Sequence, residues 1–298
     1  MVRQYKIHTN LDGTDDKVWD VTNGKVRFYQ PSNLGLQSTN NIWQSNGIGV
    51  MGTRSITQPQ IEFKLETFGE SLEENYQLMK DFVNDILNQK FVTLEYQTEI
   101  FQVYADLALS DVTKTEGYGK NGTFSEKITF DIITKWYTYE NLTFDMIENG
   151  KVIAGKSKIY GGTAPGNYKY VKGTSYTYYG ESNIERLSRW DIKDEIFSFM
   201  GILYPKLPKT PAGVRFLDDN GNEYTAIVFK TEQLQNYILI NTDVNDEIYQ
   251  GWNGTTSLNL FPVMDFERYR TRIIEHGQME LINLSKAEFK IKRKADFV

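Results

Sequence analysis

Only two histidines, His8 and His276, stand in this sequence, and there is no cysteine. Without a thiol there can be no disulfide scaffold, no Cys-ligated zinc, no iron–sulfur cluster and no thiol nucleophile. A Ser-His-Asp arrangement would have to draw on one of two histidines near the chain ends. Gly47-Ile48-Gly49-Val50-Met51-Gly52 matches G-x-G-x-x-G, but a dinucleotide fingerprint needs a strand before it and a helix N-terminus after it to hold a pyrophosphate. Here NNIWQSN precedes and TRSITQP follows, with Pro59 close behind, so these glycines are read as permitting a bend or a close backbone approach. Asp218, Asn220 and Asn222 offer alternate oxygens like the start of a calcium loop, yet Glu223 occupies the position that demands glycine. A hairpin turn accounts for the same residues. Asp243, Asn245, Asp246 and Glu247 have no ligand spacing and read as a solvated turn. Glycoside hydrolysis needs only a pair of carboxylates, and 39 acidic residues always supply candidates without singling out a pair. No catalytic residue, cofactor or metal ligand is assigned from these patterns, and a carboxylate-pair glycosidase stays open on the residues alone.

The elements available to position anything are those of a globular chain. Its 298 residues are 40% hydrophobic and 14% aromatic, with a net charge of −6, enough apolar matter to fill one large or two ordinary domains. The acidic balance argues against a general nucleic-acid binder, which needs clustered Lys and Arg. MVRQYKIHTN lacks the apolar region of a signal peptide, and no apolar run is long enough for a membrane helix. Folding in a cytoplasm, without membrane insertion, is expected, and the N-x-S/T matches at Asn121, Asn141, Asn253 and Asn283 are read as accidental.

Alternation with a period of two dominates the pattern, the mark of antiparallel sheets. Ile61/Phe63/Leu65, Val92/Leu94/Tyr96, Phe101/Val103/Ala105/Leu107/Leu109 and Ile128/Phe130/Ile132 each predict a strand with one buried face. One segment departs from this. From Ser71 to Asn88 the apolar residues Leu72, Tyr76, Met79, Val83, Ile86 and Leu87 fall at helical steps, and Ser71 with Glu74 forms an S-x-x-E capping box. A core-facing amphipathic helix is expected there. Residues Gln30–Gln60 are rich in Gly, Asn, Ser and Gln, and carry Leu34, Leu36, Ile42, Trp43, Ile48, Val50 and Met51 without a clean period. A loop this long in a compact domain is usually functional or disordered, and its Trp and aliphatics predict an extended arm or hairpin that packs on something, such as a neighbouring subunit.

The second half predicts hairpins at Asp218–Asn222, between Val214/Phe216 and Tyr224/Ala226/Val228, and at Trp252-Asn253-Gly254-Thr255, flanked by Leu239/Asn241 and Leu258/Leu260. In KAEFKIKRKADF, Phe289 and Ile291 alternate with basic residues, which predicts an edge strand whose charges discourage unwanted pairing. A domain boundary is expected near Lys135–Asn141, giving domains 1–138 and 139–298. The first carries 13 basic and 18 acidic residues, so the acidity belongs to it. Phe261–Arg270 interleaves aromatics with Arg, as protein interfaces do, and Trp190 lies in a second such stretch.

GIGVMGTRSITQPQIEFKLET, the capped helix, WYTYENLTF and FPVMDFERYRTRIIEHGQMELINLS, in that order, resemble the distal tail proteins of siphophages, in the form found in lactococcal phage baseplates. The resemblance covers nearly the whole chain. It implies a mainly β structural protein of two domains, without enzymatic activity. The N-terminal β-sheet domain, with one amphipathic α-helix and a long belt arm, would form a homohexameric ring. The C-terminal domain would be a galectin-like antiparallel β-sandwich with an extension holding receptor-binding protein trimers, expected at Ile159–Ser182 and around Trp190–Pro211. Further implied partners are the tail tube protein and the tail-associated tip protein, with DNA passing through the lumen without specific binding. The implied location is the virion tail tip, assembled in the host cytoplasm. An acidic first domain suits such a lumen, because like charge keeps phosphates from sticking. Trp43, Met51, Arg54, Trp190, Phe197 and Trp252 are expected at interfaces. The alternative is a carbohydrate-binding module contacting host cell-wall polysaccharide through aromatic faces.

Overall fold

In the computed structural model the described residues are 3–35, 37–57, 60–114, 123–144, 147–148, 151–152, 177–179, 185–187 and 190–295. They fall in two compact units, Met1–Thr138 with Ala295–Val298, and Tyr139–Lys294. The Ile159–Ser182 stretch lies outside the described residues except for Thr177–Tyr179.

The first unit is built on strands β1 (Gln4–His8), β2 (Val18–Asp20), β3 (Val26–Ser32), β4 (Gln37–Ser45), β5 (Ile48–Thr57) and β6 (Ile61–Thr67). Helix α1 (Leu72–Leu87), β7 (Val92–Gln97), β8 (Gln102–Thr113) and β9 (Ser125–Ile132) follow, and β10 (Tyr137–Phe144) leads out of it. Seven strands pair in the order β2-β1-β7-β8-β9-β6-β3. The sheet curls far enough that the Phe28 N–H of β3 donates to the Val21 carbonyl beyond β2, at 2.7 Å. Inside lie Ile7, Ile61, Phe63, Leu65, Leu94, Leu107, Ile128 and Phe130, all essentially inaccessible. Each such side chain contributes roughly 1.5–3 kcal/mol relative to exposure. Strand β6 alternates in and out along its whole length, as its sequence predicts.

Two expectations for this unit need correction. Strand β7 is buried on both faces, because Thr93 and Glu95 turn into polar partners and not into water. Helix α1 is present and capped by Ser71, whose hydroxyl accepts from the Glu74 N–H at 3.1 Å. Glu74 accepts from the Glu70 N–H at 2.7 Å, one residue outside the expected reciprocal box. The buried stripe of the helix is Asn75, Phe82 and Ile86, with Leu78, Met79 and Val83 half-buried beside it. Leu72, Tyr76 and Leu87 are exposed. The buried face is rotated from the one its apolar residues mark, since its first buried position is an asparagine. Asn75 Oδ1 accepts from the Gly69 N–H at 2.7 Å and its Nδ2 donates to the Ser71 carbonyl at 3.0 Å, so it satisfies backbone groups at the helix start.

The second unit adds short ribbons, β11 (Ile147–Glu148) with β12 (Lys151–Val152) and β13 (Thr177–Tyr179) with β14 (Glu185–Leu187). Its body contains β15 (Trp190–Ile192), β16 (Ile196–Pro205), β17 (Ala212–Leu217), β18 (Glu223–Phe229), β19 (Tyr237–Asn241), β20 (Ile248–Trp252) and β21 (Ser257–Asn259). β22 (Gly277–Ile282) and β23 (Leu284–Lys294) complete it. β23-β16-β19-β20-β21 form one antiparallel sheet and β15-β22-β17-β18 the other. Phe199, Leu203, Ile238, Ile240, Phe289 and Ile291 of the first sheet share a core with Val214, Phe216, Ile227, Phe229, Met279 and Leu281 of the second. This is a β-sandwich.

Here too the sequence misleads locally. β23 is an interior strand, lying between β16 and the part of β10 that belongs to this unit. Its basic residues find acids: Lys292, 5% exposed, donates to Asp243 at 2.9 Å, and Arg293 lies 3.2 Å from Glu140 and 3.3 Å from Asp194. In β19 the core side chains are Ile238 and Ile240, one residue out of phase with Leu239. Asn241 is buried as well, but through hydrogen bonding to Asp246 and to the Asp243 N–H. The β17–β18 and β20–β21 hairpins form where expected, with Gly221 and Gly254 at positive φ.

Candidate functional site

The feature that stands apart is the hairpin β4–β5. Among the described residues it pairs with no other strand, and every described side chain from Ser38 to Ser55 is exposed. Its turn is Asn46-Gly47 with φ of 50° and 78°, which fits the two-residue turn whose twist matches paired strands. Register runs Ser45↔Ile48, Gln44↔Gly49, Trp43↔Val50 and Ile42↔Met51, then shifts before Asn40↔Arg54. Cross-strand partners share a face, so Trp43, Val50 and Ile48 line one side and Ile42 and Met51 the other. Trp43 is 70% exposed, Ile48 70% and Val50 64%. Gly52 permits the Trp43 indole to lie close, since a Cβ there would meet its Nε1 at 3.3 Å. Arg54 Nε donates to Asn40 Oδ1 at 2.9 Å.

At the base of the arm, Asn33 Nδ2 donates to the Gln60 carbonyl at 3.1 Å, and Gln60 Nε2 donates to Asp131 at 2.7 Å. The hairpin is thus tethered at its root and covered nowhere along its described length. A two-stranded hairpin is marginal by itself in water, and a ribbon apolar on both faces marks an interaction site.

Of the six residues expected at interfaces, Trp43, Met51 and Arg54 come together in this hairpin. Trp190, on β15, is half-buried against the sandwich core. Phe197 and Trp252 are half-buried on β16 and β20, in the opposite sheet. Ile48 and Val50 share the face of Trp43 and Ile42 that of Met51, and the signal that could have found them is the Asn46-Gly47 turn between two apolar runs. In the second unit Phe261 and Phe266, 45% and 50% exposed, meet edge to face with ring centroids 5.1 Å apart. Beside them Arg268 is held by Glu223 through two hydrogen bonds of 2.7 and 2.6 Å.

The polar clusters are internally satisfied. His8 Nδ1 lies 2.7 Å from Asp16 Oδ2 and Nε2 lies 2.9 Å from Glu95 Oε2, so neither nitrogen is open to activate a nucleophile. Burial pushes Glu95 up, but hydrogen bonds from Lys6 and His8 outweigh it and hold the carboxyl below the usual carboxylate range. A cavity of about 400 Å³ in the second unit is lined by Asp218, Tyr224, Thr271, Ile273, Glu275 and His276. Asp218 is spent on the turn: its carboxylate accepts from the N–H groups of Asn220 and Asn222, and the Asn222 backbone leads in holding it below its ordinary range. Burial, with Glu275 nearby, pushes the Tyr224 phenol up to about 12. Among the described residues no group of three or more His, Asp or Glu side chains is arranged to hold a metal ion.

Comparison with known proteins identifies the fold. The family model for the distal tail protein N-terminal domain matches residues 4–133, and that for the Dit C-terminal domain matches residues 135–298. Over the full length of both chains the sequence is 94% identical to the distal tail protein of Lactococcus phage p2 and 93% identical to that of Lactococcus phage SK1. It matches a chain of the phage p2 baseplate in its activated conformation with Ca at 92% identity and a TM-score of 0.78, covering all of both chains. SPP1 Dit (gp 19.1), described as a paradigm of the hub adsorption apparatus in phages infecting Gram-positive bacteria, shares the fold at 11% identity, with a TM-score of 0.54 over 99% of this chain and all of the other. The chain belongs to the distal tail protein (Dit) family.

Proposed function

We propose that this chain is the structural hub of a phage baseplate. It would form a homohexameric ring that joins the tail tube protein to the tail-associated tip protein and anchors receptor-binding protein trimers for host adsorption. Residues 1–138 form the ring in this reading, and residues 139–298 form the outward sandwich that carries the receptor-binding proteins. DNA passes through an acidic lumen without being bound. The chain does its work through surfaces, and no catalytic step is assigned to it.

The observation that carries the reading is the β4–β5 hairpin, tethered at its base and apolar on both faces. A ring needs heterologous contacts that close, and an arm reaching a neighbour supplies one. Membership of the family and the 92% identity to a p2 baseplate chain support the same location in the virion. Light scattering after size exclusion, with negative-stain microscopy of the full-length chain, tests it. A six-fold ring is expected, and a strict monomer at every concentration overturns the reading. Replacing Gln37–Thr57 by a short Gly-Ser link should leave a folded monomer. Rings that survive the replacement would remove the arm from the account.

A second reading, direct binding of cell-wall polysaccharide by the sandwich, is favoured by the exposed Phe261–Phe266 pair. Saturable binding in calorimetry, lost on Phe261→Ala, would promote it.

A further inference from the structure

Six Asn-Gly steps occur in the sequence, at Asn23, Asn46, Asn121, Asn149, Asn220 and Asn253. Asn121 and Asn149 lie outside the described residues. At such a step the glycine nitrogen can attack the asparagine Cγ, because glycine has no Cβ to obstruct the approach. A bond forms from that nitrogen to Cγ, the bond from Cγ to the side-chain nitrogen breaks, and ammonia leaves a cyclic succinimide. Water then opens the ring at one carbonyl or the other, giving aspartate or isoaspartate. Water is the only co-reactant.

Three of the four described steps are restrained against this. The Gly24 N–H donates to the Asp20 carbonyl at 2.9 Å, and the Asn23 N–H is held by Asp20 Oδ1 at 2.8 Å. The Gly221 N–H donates to the Asp218 carbonyl at 2.9 Å, and the Asn220 N–H is held by Asp218 Oδ1 at 2.9 Å. Asn253 Oδ1 accepts from the backbone and hydroxyl groups of Thr255 and Thr256, which fixes its side chain. At the tip of β4–β5 neither restraint exists: among the described residues, the Asn46 side chain and the Gly47 N–H have no hydrogen-bond partner.

Attack also requires the turn to open, and opening costs least where nothing is packed on the flanking strands. The turn at Asn220 joins strands bearing buried Phe216 and Ile227, and that at Asn23 lies between buried Val21 and Val26, whereas both strands next to Asn46 are exposed. We propose that Asn46 is a site of spontaneous deamidation, the fastest of the four described steps, and that its isoaspartate product unpins the hairpin. Isoaspartate adds a carbon to the main chain inside a two-residue turn that sets the Ser45↔Ile48 register, and only cross-strand pairing holds the rest.

The site assignment holds for the arm as the single chain presents it, uncovered by a neighbour, while the consequence for assembly rests on the ring reading. Purified full-length protein, kept dilute enough that light scattering shows the monomer and incubated at mildly alkaline pH, then mapped by mass spectrometry with enzymatic detection of isoaspartate, tests the site. The Asn46 peptide should convert several-fold faster than those containing Asn23, Asn220 and Asn253, and Asn46→Asp supplies the reference for the aspartate product. Conversion of any of those three as fast as Asn46, or an intact Asn46 in protein whose denatured control converts, overturns the assignment. Hydrogen exchange of the hairpin amides in aged protein should show lost protection; unchanged protection overturns the unpinning. Failure of fresh protein to form rings would bear on the function proposed above and not on this chemistry.

Discussion

Phe82→Ala separates the two possible faces of helix α1. Phe82 is fully buried, its ring meets Trp19 edge-on at 5.2 Å and Phe28 at 5.8 Å, and with Ile86 it fixes the helix to the curled sheet. Removing a packed phenyl ring from such a site costs about 3–5 kcal/mol, part of it for the cavity left behind. For a domain of this size that lowers the melting temperature by on the order of 10 °C or more. Leu72→Ala and Tyr76→Ala, on the exposed face, should each change stability by less than about 0.5 kcal/mol. The measurement is calorimetry of the full chain, with hydrogen exchange across Leu72–Leu87 to assign the transition to the first unit. If Leu72→Ala or Tyr76→Ala costs as much as Phe82→Ala, the helix is seated by its other face and the packing described here is wrong.

Glu95 sits below its ordinary range in the folded state, so the stability it contributes is present above the unfolded carboxylate range and is lost as pH falls through the lowered folded value. Glu95→Gln should therefore flatten the acid limb of the first unit's stability curve, and an unchanged limb in an acid titration followed by circular dichroism would count against the Lys6–Glu95–His8 arrangement. Asp243→Ala leaves Lys292 buried without its 2.9 Å partner and should cost about 3–5 kcal/mol in denaturant unfolding, whereas Asp243→Leu with Lys292→Met should recover most of the loss. Trp43→Ser should leave the melting temperature nearly unchanged, because the indole is 70% exposed, yet weaken assembly on a sizing column. A large fall in monomer stability would mean the indole packs within its own chain.

Alternation made β6 legible from end to end, because it buries one face, and the Asn-Gly turn made the β17–β18 hairpin legible. Alternation failed where burial was polar. β7 buries Thr93 and Glu95 on the face opposite Val92 and Leu94, α1 opens its buried stripe with Asn75, and β23 hides Lys292 against Asp243; no hydropathy pattern distinguishes these from solvent-facing residues. The same blindness produced the edge-strand reading of β23, since basic residues on a strand look alike whether they warn off a neighbour or pair with acids of their own unit. The arm was legible as an anomaly, a long stretch with Trp and aliphatics outside any period. Its division into two apolar faces was not, because the neighbours Ile42-Trp43 and Val50-Met51 are apolar on both faces at once and erase the alternation.

Exposure on the hairpin also bears on how a ring would assemble. Ile42, Trp43, Ile48, Val50 and Met51 are 49–70% exposed. Completing their burial against a neighbour is worth roughly 4–9 kcal/mol at about 1.5–3 kcal/mol per fully buried side chain. Association of two subunits costs about 4–15 kcal/mol in lost freedom alone. One arm contact is therefore close to break-even, and a dimer joined by a single arm gains little. Closing a ring changes the arithmetic, because the last subunit makes two such contacts while losing its freedom once. The chain should accordingly pass from monomer to closed ring with little between them. Light scattering across a dilution series should resolve those two species, and a well-populated dimer or trimer would refute the assignment of closure to the arm.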